Sequence, residues 1–183
     1  MKISTIIGNT KFSFDLLLLI LLIFIPAKLV LIIIVSIFLH ELGHYITANI
    51  LKYNVTEFRI SLLTSFVQFE EKITKPIDSL LISLSGPFMN LLLMIYSYNL
   101  NLVDLLSINF ILFVINLIPL RTTDGNHSLK AILDLIKIKN TQKISNIVGI
   151  IISVLLIGSM FIIGEYIMAF SLILMALSLN ITK

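Results

Sequence analysis

Apolar residues fall in long runs along this chain, with few of the polar interruptions that a soluble helix or strand shows. Six such runs, roughly 12–27, 29–51, 77–98, 102–120, 145–163 and 166–180, read as membrane-spanning helices. Several fall short of the ~20 residues that cross a bilayer untilted. Pro26-Ala27-Lys28 makes the turn from the first run into the second. After the second run the pattern changes. Thr56, Phe58, Ile60 and Leu62 alternate with Val55, Glu57, Arg59 and Ser61, and a looser alternation follows over Phe66–Glu70 beyond Leu63-Thr64-Ser65. Period two followed by a turn reads as a β-hairpin, with an amphipathic loop as the alternative. Ile132, Leu133, Leu135 and Ile136 suggest a short interfacial helix between Lys130 and Lys137. The expected fold class is therefore an all-α polytopic membrane protein, with about six transmembrane helices and a small β-hairpin between spans two and three.

Composition strengthens that reading. Of 183 residues, 58% are hydrophobic and 13% charged, against about 25% charged in a soluble domain. One integral membrane unit is expected, with no added soluble domain. The chain has no cysteine, which excludes disulfides and thiolate ligands. Its net charge of +3 is small, and no nucleic-acid motif is visible. With loops assigned from the six spans, every lysine and arginine except Lys28 falls on one side. By the positive-inside rule both termini are then cytoplasmic, and the second span runs from outside to inside. A signal peptide is not expected, because no small-x-small cleavage site follows the first run.

Against that apolar background, His40-Glu41-Leu42-Gly43-His44 stands out inside the run from Leu29 to Leu51. Two imidazoles four residues apart share one helix face and can hold one metal ion. Glu41, turned about 100° from His40 around the helix, can act as general base on the attacking water. The bilayer penalises ionisable side chains, so three of them in one span is itself a sign of function. Zinc hydrolases commonly use three protein ligands. Asp104 and Glu165 lie at the outer boundary. Glu57, Glu70 and Glu71 belong to the hairpin region, Asp134 to a solvated helix face, and Asp15 and Asp78 to helix ends. Asp124 follows the fourth span, where Pro119 breaks the helix and Arg121-Thr122-Thr123 can fold back, and it is the expected third ligand.

Three motifs, in order, resemble the site-2 protease family of intramembrane zinc metalloproteases (peptidase family M50). They are the HExxH at His40–His44, Ser85-Gly86-Pro87-Phe88-Met89-Asn90 as a GPxxN motif, and Asn116-Leu117-Ile118-Pro119 with Asp124-Gly125 as NxxPxxxxDG. The likeness covers roughly 29–135 and is greatest to the branch that processes a sporulation pro-sigma factor. It implies one zinc held by His40, His44 and Asp124, with Glu41 activating water. It implies that Asn116 positions substrate or stabilises charge on the scissile carbonyl, that Gly86 and Pro87 permit close packing or local distortion, and that Asn90 hydrogen-bonds within the bundle. Asn90 and Asn116 otherwise read as interhelical glue. The chain departs from the family where Asn126 follows Gly125 in place of a second glycine, and no PDZ or CBS regulatory domain is expected. His127 reads as a polar residue opening the interfacial helix and not as a ligand.

The expected activity is zinc-dependent hydrolysis of a peptide bond in or near a transmembrane segment of a membrane-tethered protein or peptide precursor. Its partners would be that substrate, the lipid bilayer of a bacterial cell membrane and a regulatory membrane protein, with no nucleic acid. The rival reading is a non-catalytic zinc-binding scaffold, against which Glu41 argues, because a pure binding site has no use for a base beside its ligand.

Overall fold

The computed structural model describes residues 2–61, 65–120 and 123–163. The chain divides into two compact units, Met1–Val114 and Ile115–Lys183.

The first unit begins with strands β1 (Lys2–Ile7) and β2 (Thr10–Asp15), followed by a 3-10 helix at Leu16–Ile23. Helix α1 (Ala27–Ile50) leads to β3 (Val55–Ile60) and β4 (Phe66–Phe69), and then to α2 (Pro76–Asn99). Helix α3 (Val103–Leu117) runs across the unit boundary. The strands form one mixed sheet in the order β1-β2-β3-β4, antiparallel at both sides and parallel between β2 and β3. That central parallel pair requires a long crossover, which the 3-10 helix and α1 supply.

The expected hairpin over 55–70 is present as β3 and β4; its turn at 62–64 lies outside the described residues. Phe58 and Ile60 are buried as the alternation predicts. Val55, assigned to the opposite face, is buried too, because a register irregularity between Val55 and Glu57 resets the alternation. The expected first span, 12–27, is instead the end of β2 followed by the 3-10 helix. Eight residues at 2.0 Å rise reach only about 16 Å, half a bilayer core. The physical cause is local. Phe12 and Phe14 alternate with Ser13 and Asp15, and Gly8 takes φ +62 to turn β1 back into β2.

The sheet packs on α1. Leu18, Phe58 and Ile60 form one buried cluster with Phe12, Phe14, Ile34, Ile37 and Tyr45 around it. Ala48, Val55 and Ile82 form a second, which joins the sheet to both α1 and α2. Polar bonds fix the register: Thr10 Oγ1 donates to the Val55 carbonyl at 2.8 Å and Ser13 Oγ to Glu57 Oε1 at 2.7 Å. Burial alone would raise the Glu57 pKa, but hydrogen bonds from Ser13 and Arg59, with the Arg59 charge, outweigh it and hold the carboxyl below its ordinary range. Just past α1, Tyr53 donates to Asp78 Oδ2 at 2.8 Å, tying the end of α1 to the start of α2. That hydrogen bond, helped by the Asp78 charge, raises the pKa of the phenol.

Helices α1 and α2 are long and apolar enough to cross a membrane. They coincide with the expected second and third spans to within two residues. Helix α3, expected over 102–120, is apolar but has 15 residues, and reaches only about 22 Å.

In the second unit, α4 (Asp124–Leu135) and α5 (Thr141–Ile163) follow the end of α3. Helix α4 starts six residues before the expected interfacial helix, because Thr123 in extended conformation (φ −89, ψ 160) hands the chain into a helix with Asp124 in its first turn. An acidic residue there suits the helix dipole. Helix α5 corresponds to the fifth expected span, apolar over Thr141–Leu156. The expected sixth span, 166–180, and Arg121-Thr122 lie outside the described residues.

Candidate metal centre

His40 and His44 lie on the second half of α1, one turn apart, and both are buried, as is Glu41. Their Nε2 atoms are 3.3 Å apart and their rings meet nearly edge-on, at 83°. Both Nδ1 atoms have acceptors. His40 Nδ1 is 2.5 Å from Asn90 Oδ1, and His44 Nδ1 is 2.6 Å from the Ile82 carbonyl. A backbone carbonyl only accepts, so His44 carries its proton on Nδ1 and presents a bare lone pair at Nε2. With Asn90 Oδ1 as its acceptor, His40 does the same.

Two lone pairs facing each other at 3.3 Å cannot hydrogen-bond to one another, and a metal ion between them satisfies both. Two nitrogens about 2.05 Å from a zinc ion, at a tetrahedral angle, are themselves about 3.3 Å apart. The observed spacing and tautomers therefore fit a shared zinc.

The GPxxN motif explains how α2 makes room. Gly86 packs flush on the two rings: a methyl group there would lie 2.6 Å from His40 Nε2 and closer still to His44 Nε2. Gly43 does the same for the backbones, since a methyl group on it would meet the Ser85 carbonyl at 2.6 Å. Pro87, inside α2, has no N–H to donate to the Ser83 carbonyl, and its ring crowds that turn. One turn earlier, the Ile82 carbonyl accepts from His44 and also from Ser85 Oγ at 2.6 Å. Asn90, one turn further on, is fully buried and points its carbonyl at His40.

Sequence reasoning missed two participants. Asn109 on α3 accepts from Asn90 Nδ2 at 2.9 Å and donates to Ser36 Oγ on α1 at 3.0 Å. All three side chains are fully buried. The available signal was periodicity, since Asn109 lies seven residues before Asn116 and therefore on the same helix face.

The remaining expected site residues belong to the second unit. Asn116 is half-buried near the end of α3, and Pro119 ends that helix. Thr123, also missed, locks the following turn: its Oγ1 donates to the Ile118 carbonyl at 2.5 Å and accepts from Leu120 N at 3.1 Å. Asp124 then opens α4, half-buried. Gly125 is obligatory, because a side chain there would strike the Leu117 carbonyl. Asn126 is buried and accepts from Ser145 Oγ on α5. His127 is exposed.

No curated protein matches the chain. Residues 28–103, from α1 into α3, match the family model for Peptidase family M50. That stretch contains His40, Glu41, His44, Gly86, Pro87 and Asn90. The structure is similar to the solved Site-2 Protease from Methanocaldococcus jannaschii, with 20% sequence identity and a TM-score of 0.71, over 98% of this chain and 94% of that one. The chain has the fold of a site-2 protease, and the part of it that holds the paired histidines matches Peptidase family M50.

Proposed function

We propose that this protein is an intramembrane zinc endopeptidase that hydrolyses a peptide bond in or near a transmembrane segment of a membrane-tethered protein or peptide precursor. The observation that carries the reading is the pair of imidazoles, each held with its proton on Nδ1 and its Nε2 lone pair turned to the other at 3.3 Å. Aspartate completes a donor set of zinc-hydrolase type with two histidines, and the motif that ends in Asp124-Gly125 gives Asp124 that role in this reading.

Bound by these residues, zinc would supply Lewis acidity, lowering the pKa of a water towards ~7. The carboxylate of Glu41 takes that water's proton as the nucleophile attacks, and returns it to the leaving amine. Asn116 positions the substrate and donates its amide N–H to charge developing on the scissile carbonyl oxygen. Asn90 and the Ile82 carbonyl hold both imidazoles oriented, with Nδ1 as the nitrogen that carries the proton and Nε2 turned to the metal. A helical substrate hides its amides in i to i−4 bonds, so it must unwind before attack. The outer edge of β4 can hold the unwound stretch extended by strand addition.

Membrane embedding is part of this reading. Large apolar side chains along α1, α2 and α5 face outward, among them Leu31, Ile50, Ile95 and Leu155, each more than half exposed. Water tolerates few contiguous patches of this kind, whereas lipid favours them.

The test is Glu41→Gln in the full chain, co-expressed with a candidate membrane-tethered substrate. The variant should keep its zinc and lose cleavage by at least about 100-fold, the scale of a lost general base. Cleavage at the parental rate would end the proposal.

A further inference from the structure

Asn109 lies on α3, one amide removed from His40, and the network it belongs to has a direction that ends at that imidazole. Its Nδ2 is 2.9 Å from the Leu105 carbonyl and 3.0 Å from Ser36 Oγ. A backbone carbonyl offers only lone pairs, so the atom facing it must be the amide nitrogen. The swapped assignment would press two oxygens together at 2.9 Å in a fully buried place, at the cost of an unsatisfied polar group. The Asn109 oxygen must then face Asn90, at 2.9 Å. Asn90 therefore presents its nitrogen to Asn109 and its oxygen to His40 Nδ1. His40 has no choice of tautomer: Nδ1 carries the proton and Nε2 is the metal-facing lone pair.

Resting on the zinc-site reading above, we propose that Asn109 is a positioning residue which, through Asn90, fixes the tautomer and ring orientation of His40 as a metal ligand. Interhelical glue would not require this arrangement. A polar staple among α1, α2 and α3 would be satisfied with its amides in either sense. Here the Leu105 carbonyl sets the sense, two amides relay it, and the last acceptor is aimed at the imidazole. Ser36 lies one turn before His40 on α1 and takes the second amide proton of Asn109, leaving it no alternative orientation. Removing the acceptor on Asn109 frees the Asn90 amide to flip, so that its NH2 meets His40 Nδ1 and the proton moves to Nε2, where it blocks the metal.

The experiment compares zinc affinity, by chelator competition, in the purified full-length chain and its Asn109→Leu, Asn90→Leu and doubly substituted forms. Cobalt(II) spectra and metal-free unfolding temperatures are recorded for each. Loss of a partner that orients a ligand typically costs 10–100-fold in metal affinity, and that loss is expected for each single variant. The double variant should bind no more weakly than Asn90→Leu alone, because Asn109 acts only through Asn90. The cobalt band of Asn109→Leu should move to match that of Asn90→Leu. Zinc affinity of Asn109→Leu equal to the parent, or losses that multiply in the double variant, would overturn the relay while leaving the zinc site intact. Failure of the parental protein to bind zinc would overturn both.

Discussion

At Gly86 two physical effects oppose each other, and the geometry decides between them. Alanine is favoured over glycine inside a helix by about 1 kcal/mol, so Gly86→Ala should stabilise α2 considered alone. Its methyl group, however, would lie 2.6 Å from His40 Nε2, in the gap that a shared ion needs. We expect Gly86→Ala to fold with a metal-free unfolding temperature no higher than that of the parent, because the buried rings must shift to admit the methyl group, and to lose zinc affinity by about 100-fold. Titration with a competing chelator checks this; parental affinity would show that the ion is not held between the rings. The histidines were legible in the sequence because their spacing along one helix is a local property. So was Asn90, though only as a member of a motif. Asn109, Ser36 and Thr123 were not, because their roles depend on which helix faces which, and a lone Asn, Ser or Thr in an apolar run carries no mark of its partner.

At the scale of elements, the sheet shows where reading by periodicity succeeds and where it fails. Strands β3 and β4 lie between polar stretches, and their alternation is visible. Strand β2 runs directly into the leucines of the 3-10 helix, so Phe12 and Phe14 were absorbed into an apolar run and the β1–β2 pair was lost with them. The sheet also has a titratable joint. Glu57 has its pKa lowered in the folded protein, so its contribution is present above the unfolded value, near 4.5, and is lost as pH falls through the lower folded value. Between pH 7 and pH 3 the parental unfolding temperature should fall by several degrees more than that of Glu57→Gln, which has no charge to lose. Parallel curves would show that Ser13 and Arg59 do not stabilise the carboxylate. The edge of β4 gives a second prediction. The Gln68 carbonyl, which accepts from Thr56, and the Glu70 N–H, which donates to the Asn54 carbonyl, both turn towards β3. In a strand the backbone polar groups alternate, so those of Val67 turn outward. Val67→Pro should therefore raise KM for a membrane-tethered substrate several-fold more than Val67→Ala, with zinc content unchanged; equal effects would remove strand addition from the mechanism.

For the whole molecule, orientation in the membrane is the property that the sequence addresses most directly. The observation that bears on it is a single ion pair: Lys28 Nζ meets Asp104 Oδ2 at 2.6 Å, with both side chains well exposed. Such a pair adds at most about 1 kcal/mol of stability, so its value lies in what it locates. It joins the first turn of α1 to the first turn of α3. Charge counting assigned the one outlying lysine, Lys28, and Asp104 to the same outer surface, and the ion pair is consistent with that assignment. If lysines and arginines elsewhere are retained in the cytoplasm, α1 enters from outside and delivers His40, Glu41 and His44 towards the cytoplasmic half of the bilayer, where water has the shorter path. The chain has no native cysteine, so single cysteines report without background. With a membrane-impermeant maleimide applied to intact cells, a cysteine replacing Asn101, in the turn between α2 and α3, should be labelled. One replacing Glu70, at the end of β4, should be labelled only after the membrane is opened. The reverse pattern would place β4 and the substrate it is proposed to hold on the outer face, and the cytoplasmic route for water would have to be abandoned with it.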